Sequence, residues 1–514
     1  MAVVVPARTL QRVAGTPRTV LTQQELESRL WEAANCLRGP VDAADFKAYV
    51  FPVLFFKWIS DTWDLEHAQA VDDFGADLSP EEEADYHRFV VPEGCHWADV
   101  RNTTKNIGVK LRRTLDRLEE ANPDKLAGIF GDVAWGNKDR LPEHALINLI
   151  DTFDKTVLNR DRVPGDMLGA AYEYLLREFA DASGKKAGEF FTPRAVVHLL
   201  VDILDPQPGE SCYDPACGSG GMLVETINAV RSKGGDTRTL RLYGQEVNLT
   251  TAAIARMNLY LHDLEDFRVA RGDTFRDPKF LDGAELERFG VVIANPPFSL
   301  QNWGAGTWAK DPWQRAFCGV PPAKNGDFAW IQHMVSSMDE KTGRVGVVMP
   351  HGVLFRGGAE AKIRQCIIES DRLEAVIGLA GNLFYSTSIP ACLLIFRAQK
   401  PAERKNSVLF VDGSARFTKG RNQNVMTDAD MAAIAGAYRT GQDPDGDGGV
   451  QVRLVEHAEI KENNWDLNVT RYVAAVVAEG IDVPTALARL RQAQADLRAA
   501  EESLGERLRA AGYA

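Results

Sequence analysis

Cysteine is sparse in this chain, and spacing pairs none of it. Seven cysteines, at 36, 95, 212, 217, 318, 366 and 392, are scattered over 514 residues without one Cys-x-x-Cys. Neither a zinc site nor a disulfide framework is indicated, which fits a protein of the reducing cytoplasm. No stretch approaches the roughly 20 apolar residues of a membrane span. The first residues carry Arg8, Arg12 and Arg18 with no acid before Glu25, a bias shared with transit peptides. Val3-Val4-Val5 is too short for a secretory core, so residues 1–20 read as a flexible basic tail. Excess positive charge is missing as well: 59 Lys and Arg face 72 Asp and Glu, a net charge of −13. A protein that grips nucleic acid by its phosphates is basic at least locally. Any such grip here would fall to a local patch or to a partner.

What remains is an ordinary globular composition, long enough for about two to four domains. Thr22 and Glu25 have capping-box spacing, and Leu26, Leu30, Ala33, Ala34 and Leu37 recur at helical intervals up to Gly39-Pro40. An apolar, aromatic-rich segment from Phe46 to Trp63 follows, most simply a core helix. Helical patterns continue to about Leu158 with no convincing strand. Residues 21–160 thus read as a separate helical domain.

The texture changes near Gly165. A helix from Met167 leads to Lys185-Lys186-Ala187-Gly188-Glu189-Phe190-Phe191-Thr192-Pro193-Arg194. Thr192 has the look of an N-cap with Pro193 at the first helical position. The segment is either a glycine loop before a capped helix or one wall of a cofactor pocket. Next comes Ser211-Cys212-Tyr213-Asp214-Pro215-Ala216-Cys217-Gly218-Ser219-Gly220-Gly221, a strand, a glycine turn and a helix start. The turn is not the G-x-G-x-x-G of dinucleotide folds. Its glycines let backbone approach a ligand, and a helix N-terminus attracts a carboxylate. Asp214 at the strand end suits an ammonium, so an amino-acid moiety fits both. A second strand ends in Glu246, where such sheets often bind ribose hydroxyls. A third ends in Asp273, suited to an adenine amine.

The fourth strand runs into Val291-Val292-Ile293-Ala294-Asn295-Pro296-Pro297-Phe298. Two prolines cannot donate to a sheet ladder, so they end the strand in a stiff, extended turn. Open α/β sheets bind ligands at that end of their strands. The Asn295 amide oxygen and the Pro296 main-chain carbonyl are two acceptors for the N–H groups of an exocyclic amine. Held rigidly, they favour the form in which the nitrogen lone pair leaves the ring plane, while Phe298 stacks on the base. The same tetrad is also a good turn former. Methylation at a cytosine carbon would need an activated Cys nucleophile after a Pro, and the chain has no Pro-Cys pair.

Residues 299–326 form a long loop with Trp303, Trp308, Trp313, Lys310, Arg315 and Lys324. Interleaved aromatics and bases suit a nucleic acid. Further alternation of helices with strands near 345–349, 373–379 and 391–396 closes the sheet. Asp443-Pro444-Asp445-Gly446-Asp447-Gly448 imitates a calcium loop, but position twelve is Leu454 rather than Glu, so it reads as an exposed acidic loop. Pro484 opens a tail helix with Leu490, Ala493, Leu497, Ala500 and Leu504 along a short coiled-coil seam, weakened by Gly505.

Asp-Pro-Ala-Cys-Gly-Ser-Gly-Gly, Asn-Pro-Pro-Phe and Gly-Glu-Phe-Phe-Thr-Pro-Arg together resemble the amino-group DNA methyltransferases of the N-6 adenine class. The chain is most similar to the methylation (M) subunits of type I restriction–modification systems. The likeness extends to Leu30-Trp31-Glu32-Ala33-Ala34, Phe55–Asp61, Leu383–Thr387 and Trp465–Asn468. It implies an α/β fold, a Rossmann-like doubly wound methyltransferase sheet over residues 161–475, with the helical domain before it and a partner-binding helix over 476–514. It implies S-adenosylmethionine held by Glu189, Phe190, Phe191, Thr192, Pro193, Arg194, Asp214, Gly218, Ser219, Gly220, Gly221, Glu246 and Asp273. It implies Asn295, Pro296, Pro297 and Phe298 around an adenine flipped from double-stranded DNA. Two such chains would join one specificity (S) subunit as M2S1, with a restriction (R) subunit for cleavage. Glu189 stands where relatives often carry Gln. The Asn-Pro-Pro-Phe tetrad is shared with RNA and protein methyltransferases, so a stand-alone amino-methyltransferase is the alternative. A scaffold that binds cofactor without methylating is another.

Overall fold

The computed structural model describes residues 20–510 except 43–44, 165, 184–191, 385–388, 421–422, 447–448 and 474–482. The amino-terminal part is a bundle of helices, chiefly α1 (Gln23–Asn35), α2 (Phe46–Phe74), α3 (Ile107–Ala121), α4 (Glu143–Asp154) and α5 (Met167–Ser183). The Thr22–Glu25 capping box starts α1 as its spacing predicts. Helix α2 is buried on all sides from Tyr49 to Asp61, so it is the bundle's central rod. Its two buried charged residues pair with each other, Lys57 donating to Asp61 at 2.6 Å, and Asp61 also accepts from the Leu158 amide. The aromatic-rich stretch is therefore core.

The sheet begins at β1 (Ser211–Asp214) and continues through β2 (Arg241–Glu246), β3 (Phe267–Arg271), β4 (Val291–Ala294), β5 (Arg344–Pro350), β6 (Leu373–Gly378), β7 (Ala391–Arg397), β8 (Ser407–Asp412) and β9 (Gln451–Glu456). Its spatial order is 9-8-6-7-5-4-1-2-3. Strands 3, 2, 1, 4 and 5 are parallel, and β7 inserts antiparallel between β5 and β6. The sheet does not close at β7 as expected from sequence. Strand β8 adds in parallel to β6, and β9 adds antiparallel at the edge.

Alternate residues of each strand face opposite layers. Val291 and Ile293 enter the core under α6 (Arg194–Leu204), α7 (Gly221–Ser232), α8 (Leu249–Leu261) and the later helix over Asp428–Thr440. Val292 and Ala294 face the other core, under α9 (Asp327–Ser336) and α10 (Ala359–Glu369). Helix α11 (Asp428–Thr440) packs on α6, and α12 (Val483–Ala510) ends the described chain. Helices thus cover both faces, the doubly wound arrangement expected. No helix among the described residues is long and apolar enough to cross a membrane.

The bundle joins the sheet through α8. Ile254, Met257, Tyr260 and Leu261 enter the helical core, as do Leu168, Ala171, Tyr172 and Leu175 of α5. Tyr172 donates to the Ile254 carbonyl at 3.1 Å. Arg88 reaches across to Asp263 at 2.9 Å and to the Leu264 carbonyl at 2.7 Å.

Two expectations are corrected. Cys318 and Cys366 form a disulfide between the 299–326 segment and α10, although their separation of 48 residues matches no local pairing pattern. The 299–326 segment is in part core rather than wholly an open array of aromatics and bases. Trp303 and Trp308 are buried against Phe275. Arg315 is fully buried, paired with Asp311 at 2.6 Å and donating to the Thr274 and Phe275 carbonyls. These three residues belong to the core, while Lys310 and Lys324 are exposed and Trp313 is half-buried.

Candidate active site

The sheet's strand order reverses between β1 and β4, which lie side by side in parallel. Their carboxyl ends carry Asp214 and Asn295. This is the crevice where an open α/β sheet receives a ligand.

Beyond Asp214 the chain turns through Gly218 (φ 53°) and Gly220 (φ 81°), and α7 starts at Gly221 with no side-chain cap. Both backbone angles lie in the left-handed region that glycine enters without cost. The uncapped first turn leaves α7 with free N–H groups and the positive end of its dipole at the crevice. Side chains from β2, α8 and the segment after β3 hold the turn. Glu246 Oε2 accepts from Gly218 N at 3.2 Å, and its Oε1 accepts from Asn248 N at 2.8 Å. Asn258 Nδ2 donates to the Ser219 carbonyl at 3.0 Å, and Thr274 Oγ1 donates to the Pro215 carbonyl at 2.6 Å.

Asp214 is buried and its carboxylate accepts from Ala216 N at 3.0 Å. Burial, reinforced by the Glu246 carboxylate, pushes its pKa up to about 8. Burial likewise raises Glu246. Two buried carboxyl groups with no cation beside them among the described residues leave room for a positively charged ligand. Asp273 is spent differently. It accepts from Phe275 N and Arg276 N and pairs with the Arg276 side chain, which also donates to the Asn302 carbonyl.

Asn295 follows the last residue of β4. Its Nδ2 donates to Thr192 Oγ1 at 2.8 Å, and its Oδ1 is buried without a hydrogen-bond partner among the described residues. A buried acceptor left open in this way is costly in a resting protein. It leaves an acceptor free at the crevice for a donor on a ligand. Thr192 does not cap α6, as the Thr-Pro pattern suggested; the cap position is Pro193 and the hydroxyl is committed to Asn295. Pro296 is buried and Pro297 exposed. Phe298 meets Phe384 edge to face at 6.1 Å, an aromatic wall beside the amide. The turn after Phe298 is held by Asp327 Oδ1, which accepts from Ser299 N at 2.7 Å while Arg356 pairs with the same carboxylate.

The structure therefore brings Thr192 to Asn295, and Asp214 and Glu246 to the glycine turn. Arg194 is solvent-exposed at the start of α6. Glu189, Phe190 and Phe191 lie outside the described residues. Sequence reading missed Asn248, Asn258, Thr274, Asp327 and Phe384 as supports. Only Asn248 had a usable signal, as the N-cap of α8.

Residues 163–479 match the N-6 DNA Methylase family. The chain belongs to that family. Residues 26–153 match the HsdM N-terminal domain. The methylase is 33% identical to the type I restriction enzyme MjaVII methylase subunit of Methanocaldococcus jannaschii, over 77% of this chain and 68% of that one. It is 34% identical to the HindI methylase subunit of Haemophilus influenzae, over 72% of this chain and 84% of that one. Among solved structures, the type I methyltransferase subunit from Streptococcus thermophilus aligns with a TM-score of 0.76 at 29% identity, covering 88% of this chain and all (100%) of that one. The expected fold and family are both borne out. So is the activity: methylation of DNA at an N-6 amine, by a methylase subunit of the type I restriction kind.

Proposed function

We propose that the methylase transfers a methyl group from S-adenosylmethionine to the N6 amine of an adenine flipped out of duplex DNA. The observation that carries this reading is the open Asn295 Oδ1 at the switch point. Asn295 Oδ1 accepts one amine N–H and the Pro296 carbonyl the other, which draws the nitrogen lone pair out of the ring plane. Thr192 keeps the amide turned so that oxygen, not nitrogen, faces the base. Phe298 and Phe384 supply the stacking surface for a base taken out of its helix.

The residues present fit the cofactor. Asp214, raised by burial, receives an ammonium; Gly218, Ser219, Gly220 and Gly221 bring the α7 N-terminus close to a carboxylate; Glu246 lies where ribose hydroxyls are bound in such sheets. Asp273, Pro193, Arg194 and the 189–191 segment complete the pocket in this reading. Bound there, S-adenosylmethionine supplies an electrophilic methyl on a sulfonium. Transfer is in line, with no covalent enzyme intermediate.

In the same reading two copies of the methylase join one specificity subunit, which reads the sequence, and a restriction subunit adds cleavage. The catalytic unit is 161–475, and the helical unit 21–160 and the tail helix face the partner. Leu497 and Leu504 support this: both are more than half exposed on α12, a stripe that needs something to cover it. The test is Asn295→Ala, co-purified with the specificity subunit and supplied with tritiated cofactor and cognate DNA. Label in N6-methyladenosine should vanish while cofactor affinity stays within about twofold. Normal turnover in that variant would sink the assignment.

A further inference from the structure

Far from the methylation corner in sequence, two histidines and a glutamate converge. His67 lies on α2, Glu83 on the short helix Pro80–Tyr86, and His87 is the C-cap of that short helix. His67 Nδ1 is 2.9 Å from Glu83 Oε1, and His87 Nε2 is 3.9 Å from the same oxygen. One donor atom from each residue lies within 4.8 Å of the other two. Nitrogen and oxygen ligands sit about 2.0–2.2 Å from zinc, so small side-chain rotations would enclose an ion.

The orientation of His87 is the second, independent observation. Its side chain is 3% exposed. Nδ1 is 3.2 Å from Glu66 Oε2, while Nε2 is buried with no hydrogen-bond partner among the described residues. An imidazole whose Nδ1–H is held by a carboxylate presents a lone pair at Nε2. Metal-binding histidines almost always have this carboxylate behind them. Trp63 fixes both rings: it stacks on His67 at 4.8 Å and on His87 at 4.6 Å, with planes within 9° and 8° of parallel.

We propose that His67, Glu83 and His87 form a site for a zinc-like divalent cation, unconnected with methyl transfer, that ties α2 to the segment following it. Two imidazoles and one carboxylate suit zinc and its neighbours, whereas magnesium and calcium take oxygen ligands. The His67 and Glu83 side chains are 39% and 35% exposed, so a fourth position opens to water. The neighbouring residue, Arg88, is the one that reaches Asp263 and Leu264 beside the sheet. A filled site would therefore steady the junction between bundle and sheet. The ligands escape motif searches because Glu83 follows His67 by 16 positions and His87 follows Glu83 by 4.

The full chain, stripped with chelator, is titrated with zinc chloride by calorimetry. One ion should bind per chain, and His67→Ala and His87→Ala should each weaken it by at least about tenfold. Cobalt in place of zinc should give visible d–d bands without a thiolate charge-transfer band, and zinc should raise Tm in the parent only. Should His87→Ala fail to fold, the half-exposed His67→Ala decides. No zinc bound by the parent, zinc bound equally by His67→Ala, or a thiolate band would each overturn the site.

Discussion

Thr192→Val tests whether this hydroxyl serves the amide or the cofactor. The side chains are nearly the same shape, so what is lost is one acceptor, 2.8 Å from Asn295 Nδ2. A buried donor left without a partner costs about 1–3 kcal/mol. The free amide can rotate to recover part of that cost in the resting protein. In doing so it turns Nδ2 toward the base, and the acceptor needed in the transition state is misplaced. A loss in the lower half of that range, about 1.4 kcal/mol, corresponds to about tenfold in rate. Single-turnover methyl transfer at saturating cofactor should therefore fall about tenfold, and cofactor Kd should change less than about twofold. Thr192→Ser keeps the hydroxyl and should stay near the parent rate. A Thr192→Val enzyme at full speed would refute the positioning role. A loss confined to cofactor affinity would refute it as well, and would return Thr192 to the cofactor pocket.

Asp214→Asn should raise Tm by a margin that widens with pH. The folded carboxyl is pushed up to about 8 from an ordinary 3.8, so its ionisation costs stability above about pH 4 and the cost is complete only above about pH 8; a margin flat with pH would contradict it. Arg315→Ala should lower unfolding free energy by about 3–5 kcal/mol, because it strands the buried Asp311 carboxylate. Denaturant titration measures this, and a fully stable variant with weakened DNA binding would restore the segment's nucleic-acid role. Deleting 483–510 should weaken assembly with the specificity subunit, read as mass by light scattering; an unchanged complex would refute the tail's part.

The site's frame was legible because its signals are local. Two prolines after Val291–Ala294 end a strand wherever it lies, and glycines after Asp214 mark a turn whatever surrounds them. The supports were not legible because their partners are remote. Thr192 reads as a helix cap by its neighbours, yet its hydroxyl bonds a residue 103 positions away. The Cys318–Cys366 bond spans 48 positions. The 299–326 segment shows the limit of composition: tryptophans and arginine look the same in a binding face and in a polar-lined core. Only burial against Phe275 and two inward carbonyls separates them. Strand β9 was missed for a similar reason. As an edge strand it is half exposed and reads Gln-Val-Arg-Leu-Val-Glu, too polar to announce itself.

Burial of Arg315 also bears on how an acidic chain handles DNA. With that cation neutralised by Asp311, the 299–326 segment offers Lys310 and Lys324 as its exposed bases. Two lysines give a weak, salt-sensitive hold on phosphates. Among the described residues the crevice offers phosphate little: Asp214 and Glu246 are acids, Arg276 is tied to Asp273 and Asn302, and in the proposed reading Asn295 faces a base. In that reading the corner acts on a base already delivered. Flipping that base out of a duplex costs a few kcal/mol, which an isolated chain of net charge −13 has little phosphate contact to offset. In the proposed reading the specificity subunit supplies sequence reading and most of the grip on the duplex. The methylase contributes what does not depend on sequence: a buried carboxylate pair, an open helix end and one correctly turned amide.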